Sequence, residues 1–232
     1  MSSLNKYQYE PLTKPHFVRI LVLGVASGNE SPLTCTIIQR PREAEHPGYY
    51  AISYVWGEQD FSSSLEILDE SQAEPPSFLS ITRNVDNVLR RFRSEKEEQH
   101  LWIDAVCLNQ EDNAEKAQQV PIMGSVYEQA KAVHVWLGPE DAHTMETVGI
   151  LNRILLPRWK DGLVWHLQVD ENGEQVFPDW VDSVYRFCKQ PWFYRHWVIQ
   201  EACLARRALL HRGRHTISLE DASIAAQEVN EF

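Results

Sequence analysis

Residues 101–110 read LWIDAVCLNQ, and the interpretation of the fold depends on this stretch. Its side chains are mostly apolar and predict a buried strand, with Asp104 in mid-strand. An isolated carboxylate is costly to bury. Asp104 is therefore either a structural group, held by backbone donors or an arginine, or part of a functional site. Ligand sites in open α/β sheets gather at the carboxyl ends of strands, where Asn109 and Gln110 follow. We expect Asp104 to lie behind a site rimmed by these two residues.

The segments around this stretch alternate between strand-like apolar runs and helical periodicity. A helix is expected over 81–92, ITRNVDNVLRRF, capped by Thr82 or Asn84. A polar loop should follow residue 110, and a second helix should begin at Pro121. The predicted strands are FVRILVL (17–23) and LTCTIIQ (33–39), which form a hairpin, then YYAISYVWG (49–57), LEIL (65–68) and AVHVWLG (132–138). This alternation predicts an α/β fold with a mostly parallel sheet covered by helices.

The pattern becomes looser after residue 140, and we interpret 140–190 as a helical insertion within a single domain spanning 1–232. One amphipathic helix is expected around Val184 in this region. Residues 191–213 predict a turn and a helix that ends near Gly213. Ser218 opens an S-x-x-D capping pattern for a last helix.

Charge and cysteine content narrow the class of protein. The formal net charge of −11 disfavours nonspecific attraction to nucleic acids and anionic lipids. The four cysteines form no C-x-x-C pair, which is typical of a reduced, cytoplasmic protein. The first residues lack the apolar core of a secretory signal, and no apolar run approaches the roughly 18 residues of a membrane helix. We expect no nucleic-acid partner and no membrane segment.

Glu201 is the second candidate acid. In a helix it would share a face with Trp197 and Leu204, and apolar surroundings raise the pKa of a carboxyl, as in general acids and bases. The alternative is a structural glutamate bonded to Arg195 or to the arginines at 206–207. The residue types alone leave both interpretations open.

Several other signals are weak. The His211-x-x-x-His215 spacing is interrupted by Gly213, so we expect no metal site. The chain has no G-x-G-x-x-G, no P-loop and no G-x-S-x-G elbow, and Ser53 lacks flanking glycines. Trp56 ends a predicted strand, where it either packs in the core or stacks on a ligand ring.

Three blocks together resemble the HET domain, the heterokaryon incompatibility domain of filamentous fungi. They are YYAISYVWG at 49–57, LWIDAVCLNQEDNAEKAQQVPIMGSVYEQAKAVHVWLG at 101–138 and WFYRHWVIQEACLA at 192–205. Their order and spacing are similar to those of the family, as are YEPL near the start and ITRN at 81–84. The likeness covers roughly residues 7–220, with core motifs at 49–138 and 192–213.

The resemblance implies an effector of fungal nonself recognition that triggers programmed cell death. HET domains are distantly similar to TIR domains, which implies a TIR-like, flavodoxin-like fold and cleavage of NAD+ at the nicotinamide–ribose bond. Because WVIQE resembles the segment that carries the glutamate of NAD-cleaving TIR enzymes, Glu201 becomes the candidate catalytic residue, with Asp104 in support. The candidate binding residues for NAD+ are Ser53, Tyr54, Trp56, Arg83, Asn109 and Arg195. NAD+ would be a substrate, and we expect no cofactor.

A different class of function remains open. A HET domain that signals by self-association, as adaptor TIR domains do, needs no chemistry. In that case Asp104 and Glu201 are structural, and the loop at 109–119 is the surface of interest. Either interpretation implies self-association on activation and an upstream sensor protein as partner.

Overall fold

The computed structural model describes residues 5–43, 48–69, 75–154, 168–169, 175–176 and 179–230. These residues form a nine-stranded sheet with the strand order β11-β10-β7-β3-β6-β1-β2-β4-β5, and a small sheet of β8 and β9. The strands are β1 Phe17–Leu23, β2 Thr34–Pro41, β3 Tyr50–Tyr54, β4 Ser63–Ile67, β5 Ser77–Ile81, β6 Gln99–Trp102, β7 Val133–Trp136, β8 Gln168–Val169, β9 Gln175–Val176, β10 Ala208–Arg212 and β11 His215–Ser218.

The helices alternate with the strands, so the predicted α/β class is confirmed. They are α1 Arg83–Phe92, α2 Asp104–Cys107, α3 Asn113–Gln119, α4 Met123–Gln129, α5 Thr144–Ile154, α6 Asp179–Cys188 and α7 Leu219–Asn230. Shorter turns are the 3₁₀ helices Val120–Ile122 and Pro191–Tyr194 and the π-helix Ile199–Cys203.

The sheet is mixed. Its centre, β10-β7-β3-β6, is parallel, and β2 also pairs with β4 in parallel. Antiparallel pairing joins β6 to β1, β1 to β2, β4 to β5 and β10 to β11. The predicted N-terminal hairpin is confirmed, with register from Phe17↔Pro41 to Leu23↔Cys35.

Two helices begin at the capping residues that the sequence predicts. Thr82 caps α1 by accepting a hydrogen bond from the Val85 N–H, and the helix buries Val85, Val88 and Leu89. The Ser218 hydroxyl accepts a hydrogen bond from the Asp221 N–H at 3.0 Å, which confirms the capping pattern that opens α7.

The strand predicted over residues 101–110 is wrong in its second half. Strand β6 ends at Trp102, and Asp104 opens the short helix α2. The Cys107 N–H donates to the Ile103 carbonyl at 2.8 Å, which closes a helical turn. Since aspartate favours the first turn of a helix, the polar residue that seemed out of place in a strand marks the strand's end.

The polar loop predicted after residue 110 contains a helix. The Asp112 carboxylate caps α3 by accepting the N–H groups of Ala114 and Glu115 at 2.8 and 3.1 Å. Pro121 lies in the 3₁₀ turn that joins α3 to α4, so the helical region begins before the proline. A buried Glu115, which apolar periodicity does not register, fixes this helix in place.

The helix predicted to continue to Gly213 is also wrong. Residues Ala208–Arg212 form β10, which pairs in parallel with β7, and Gly213 has a φ of 53° in the turn to β11. The vacant edge of β7 offers this segment a complete set of backbone partners, and that tertiary pairing overrides helical propensity.

Helix α6 confirms the amphipathic helix expected around Val184. In the region interpreted as an insertion, residues 155–167, 170–174 and 177–178 lie outside the described residues. The single-domain boundaries and the insertion stay predictions.

Candidate functional site

Glu201 lies in a buried cluster with three partners. Its side chain accepts a hydrogen bond from the Ser53 hydroxyl through Oε2. The Arg195 guanidinium donates to both carboxylate oxygens, each at 3.1 Å. The Trp192 indole N–H in turn donates to Ser53 Oγ at 2.6 Å. Glu201 is only 2% exposed, so the carboxylate is held entirely by protein groups. The ion pair between Glu201 and Arg195, which the sequence analysis gives as the structural alternative, is therefore formed.

Two local features place this cluster. Side chains alternate along the extended stretch that ends in β3, so Ser53 faces the same side of the sheet as Tyr49, whose hydroxyl donates to the Val126 carbonyl of α4 at 2.6 Å. Glu201 lies on a π-helix rather than on the α-helix expected from the sequence. Single π-turns widen a helix locally and are frequent at functional sites.

Asp104 lies nearby at the end of β6. Its Oδ2 accepts the Trp56 indole N–H at 2.8 Å and its Oδ1 accepts the Ala105 N–H at 2.8 Å. The negative charge of this carboxylate also acts on the nearby Tyr54 hydroxyl and contributes to its raised pKa. Asp104 thus accepts a backbone hydrogen bond, as expected if it is a structural group held by backbone donors.

The charge of Glu201 affects the protonation of Asp104. Burial raises the pKa of the Asp104 carboxyl to about 6, the Trp56 hydrogen bond opposes this rise, and the negative charge of Glu201 adds to it. Burial, with Asp104 next, also raises the pKa of Tyr54 well above its usual value. The effect of the Glu201 charge on Asp104 is consistent with their positions, since Ser53, which donates to Glu201, lies on β3 and Asp104 follows the end of β6, at the carboxyl ends of neighbouring parallel strands.

A crevice of about 430 Å³ opens beside the carboxyl ends of β3 and β6. Three of the predicted binding residues line it, namely Tyr54, Trp56 and Asn109. Ser53, Glu201 and Arg195 are not among its lining residues, whereas Trp56, which donates to Asp104, lines it. Its volume falls within the roughly 300–1,000 Å³ of small-molecule sites.

Arg83 and Arg195, the two arginines among the predicted NAD+-binding residues and the candidates to pair with its phosphates, do not line this crevice. Arg83 is exposed at the start of α1, where its backbone N–H donates to Asp60 at 3.3 Å. Arg195 is engaged with both oxygens of Glu201.

Sequence reasoning missed other parts of the site. In the sequence Trp192 is only one aromatic of a family block, although its indole N–H donates to Ser53 Oγ in the structure. The segment Lys6–Tyr9 forms one wall of the crevice, and the Tyr9 hydroxyl donates to the Val106 carbonyl at 2.9 Å. The two tyrosines of YQY were the available signal, since aromatic side chains bury large areas on packing.

Within the described residues, no three or more His, Cys, Asp or Glu side chains are grouped so that they could hold a metal ion. Among the helices that the structure describes, none is both long and apolar enough to cross a membrane.

Comparison with known proteins shows the family to which this chain belongs. The chain is 31% identical over 255 residues to the heterokaryon incompatibility protein 6, OR allele, of Neurospora crassa. That match covers 94% of this chain and 37% of the relative, so the chain spans well under half the length of the relative. No solved structure matches, and the TIR-like fold therefore stays a prediction. The family model described as heterokaryon incompatibility protein (HET) matches residues 49–201, which contain Ser53, Asp104 and Glu201. The chain belongs to the HET family.

Proposed function

We propose that this chain is an effector domain of fungal nonself recognition that triggers programmed cell death by cleaving NAD+ at the nicotinamide–ribose bond. Membership of the HET family and the name of the Neurospora crassa relative support the incompatibility role. The observation that carries the enzymatic part is the buried Glu201 carboxylate, which Ser53 and Arg195 hold in a fixed orientation and whose charge acts on Asp104.

The reaction requires stabilisation of positive charge on the ribose. Water attacks C1′ as the C1′–N bond breaks, the bonding electron pair leaves with nicotinamide, and the products are nicotinamide, ADP-ribose and a proton. The transition state resembles an oxocarbenium ion, which a fixed carboxylate stabilises electrostatically. In this proposal Glu201 supplies that carboxylate, while Ser53 and Trp192 fix its orientation.

In this proposal Arg195 positions the Glu201 carboxylate and also covers it. Its side chain is 22% exposed, whereas that of Glu201 is 3% exposed, so Arg195 can turn toward solvent while Glu201 stays in place. When it turns, the carboxylate is uncovered for the cationic nicotinamide riboside. Self-association driven by an upstream sensor protein is the event that we expect to favour this uncovered state.

The test measures NAD+ consumption by the purified protein at high concentration, beside the Glu201→Gln and Glu220→Gln variants. Glu220 is an exposed glutamate at the start of α7 and serves as the matched control. We expect NAD+ loss with the parent and with Glu220→Gln, and a fall of at least about 100-fold with Glu201→Gln, the size typical for loss of one electrostatic group. Equal rates in parent and Glu201→Gln would overturn the catalytic role.

A second function, signalling by self-association without chemistry, is favoured by one observation. Trp197, Ile199 and Leu204 are 48%, 68% and 45% exposed around the segment that carries Glu201. Exposed apolar side chains grouped in this way are typical of protein–protein contacts. No NAD+ turnover in any assembled form, together with loss of assembly on Ile199→Ser, would support the adaptor.

A further inference from the structure

The crevice beside Asp104 has a chemical character of its own. Aromatic side chains from three separate segments line it, namely Tyr7, Tyr54 and Trp56, and Phe61. Phe61 is 61% exposed, although large apolar side chains usually pack away from water. Phe61, with the half-buried Trp56 in the same lining, provides aromatic surface on which a planar ligand can stack, whereas Tyr54 is buried.

The charged side chains in the lining are Lys6, Lys116 and Glu111, which give the crevice a net positive charge in a chain of −11. Lys6 Nζ meets Glu111 Oε1 at 2.9 Å, with both side chains more than half exposed. Such an exposed pair contributes little and is easily exchanged for another anion. Lys116 Nζ donates to the Gln110 carbonyl at 2.8 Å, which leaves its positive charge without a counter-charge in that contact.

Charges of both signs surround the crevice. Asp104 accepts the Trp56 indole N–H at 2.8 Å, so its negative charge repels an anion beside that ring. The ammonium groups of Lys6 and Lys116 instead attract an anion. A ligand that fits this arrangement has a planar ring and a phosphate.

We propose that this crevice is a nucleotide site in which a base stacks on Trp56 and Phe61 and a phosphate pairs with Lys6 and Lys116. The inference deepens the proposed function and rests on it for the choice of a nucleotide as ligand. It replaces Arg83 and Arg195 as phosphate ligands, since one lies outside the crevice and the other holds Glu201. It also makes the Lys6–Tyr9 segment, which lies outside the matched residues 49–201, part of the binding site.

The experiment titrates AMP and adenosine into the full chain by calorimetry. The variants are Lys6→Met, Lys116→Met and Phe61→Ser, with Lys96→Met as the charge control, because Lys96 is exposed and outside the lining. We expect each crevice lysine variant to weaken AMP binding about tenfold, which is about 1.4 kcal/mol, and to leave adenosine binding unchanged. Phe61→Ser should weaken both ligands.

Each outcome separates this inference from the proposed function. Absence of AMP binding, or equal AMP affinity in Lys116→Met and Lys96→Met, overturns the nucleotide site even if Glu201-dependent NAD+ cleavage is found. Lysine-dependent AMP binding in the Glu201→Gln variant supports the site even if the parent consumes no NAD+. Retained AMP affinity in Phe61→Ser would overturn the stacking arrangement.

Discussion

Two arginine–carboxylate pairs with similar chemistry lie in different surroundings in this molecule. Arg19 of β1 pairs with Glu115 of α3 at 2.6 Å, and their side chains are 1% and 8% exposed. Arg195 pairs with Glu201 at 3.1 Å, and their side chains are 22% and 3% exposed. The first pair is closed to water on both sides, whereas the second is open on the arginine side.

The additional partners of the two pairs differ in kind. Arg19 also donates to the Glu10 and Cys107 carbonyls, and Glu115 accepts the Asn109 N–H at 2.9 Å. These contacts tie the N-terminal segment and the loop before α3 to the sheet. Glu201 instead accepts the Ser53 hydroxyl, a side chain. Backbone partners fix a fold, whereas side-chain partners and an exposed end allow a pair to change its contacts, as a reactive site requires.

The strongest test of this contrast is Glu115→Gln, for which we expect the largest loss of stability. The substitution leaves the Arg19 charge buried, and breaking a buried ion pair costs about 3–5 kcal/mol. The free energy of unfolding, measured by urea denaturation, should fall by that amount. Glu128→Gln, at an exposed glutamate of α4, is the control and should change little. A loss below about 1 kcal/mol would mean that water reaches Arg19.

We expect a smaller loss of stability for Glu201→Gln, about 1–2 kcal/mol, between the values for exposed and buried pairs. Arg195 is left without its carboxylate, but its exposed end can take up water. The same denaturation experiment measures this loss, with Glu220→Gln as control. If Glu201→Gln costs as much as Glu115→Gln, both pairs are structural and the contrast fails.

The sequence predicted one of these regions better than the other. Glu201 and Arg195 were identified because a long family block contains them, and the apolar residues around Glu201 made it conspicuous. Arg19 and Glu115 lie 96 residues apart, and each is surrounded by residues that explain it as a strand or a polar loop. Only the three-dimensional pairing shows that the supposed loop is a helix held by a buried charge.

The central strands were similarly predictable, since continuous apolar runs such as AVHVWLG have few alternatives. The elements that failed are those whose state depends on a distant partner. Residues Ala208–Arg212 contain alanine, leucine and arginine, which favour helices, yet they pair with β7 as a strand. The crevice was beyond prediction for the same reason, because the Lys6–Tyr9 segment and Trp56 meet only in the folded chain.

Asp104 adds a third carboxylate to the comparison of Glu115 and Glu201. It accepts hydrogen bonds from the Trp56 indole N–H and from the Ala105 backbone N–H. Its pKa in the folded chain is raised to about 6, mainly by burial, so the folded state binds its proton more tightly than the unfolded chain. Its contribution to stability is therefore present below about pH 4 and is lost as the pH rises through about 6. Urea denaturation between pH 4 and pH 8 should show that Asp104→Asn gains stability relative to the parent as the pH rises.

The pH dependence of the parent's stability also contains an effect of opposite sign, which comes from two histidines. Both proteins contain these histidines, so the effect cancels in the difference in stability between Asp104→Asn and the parent. His134 Nδ1 meets His211 Nε2 at 2.8 Å, and burial lowers their pKa values to about 4 and about 3. Because the unfolded chain binds these protons first, stability falls as the pH drops below about 6.5. An Asp104→Asn difference that stays constant from pH 4 to pH 8 would show that Asp104 titrates normally.

The smallest effect is expected at the exposed pair of Lys6 and Glu111, whose side chains are 63% and 80% exposed. Lys6→Met should change the free energy of unfolding by no more than about 0.5 kcal/mol, because solvent screens the pair and its geometry costs side-chain entropy. Urea denaturation at low and high salt measures this, with Lys96→Met as control. A loss above about 1 kcal/mol would mean that Lys6 anchors the N-terminal segment, and its role in the crevice would then be structural. A near-zero change, together with weaker AMP binding, would show that Lys6 acts on the ligand and not on the fold.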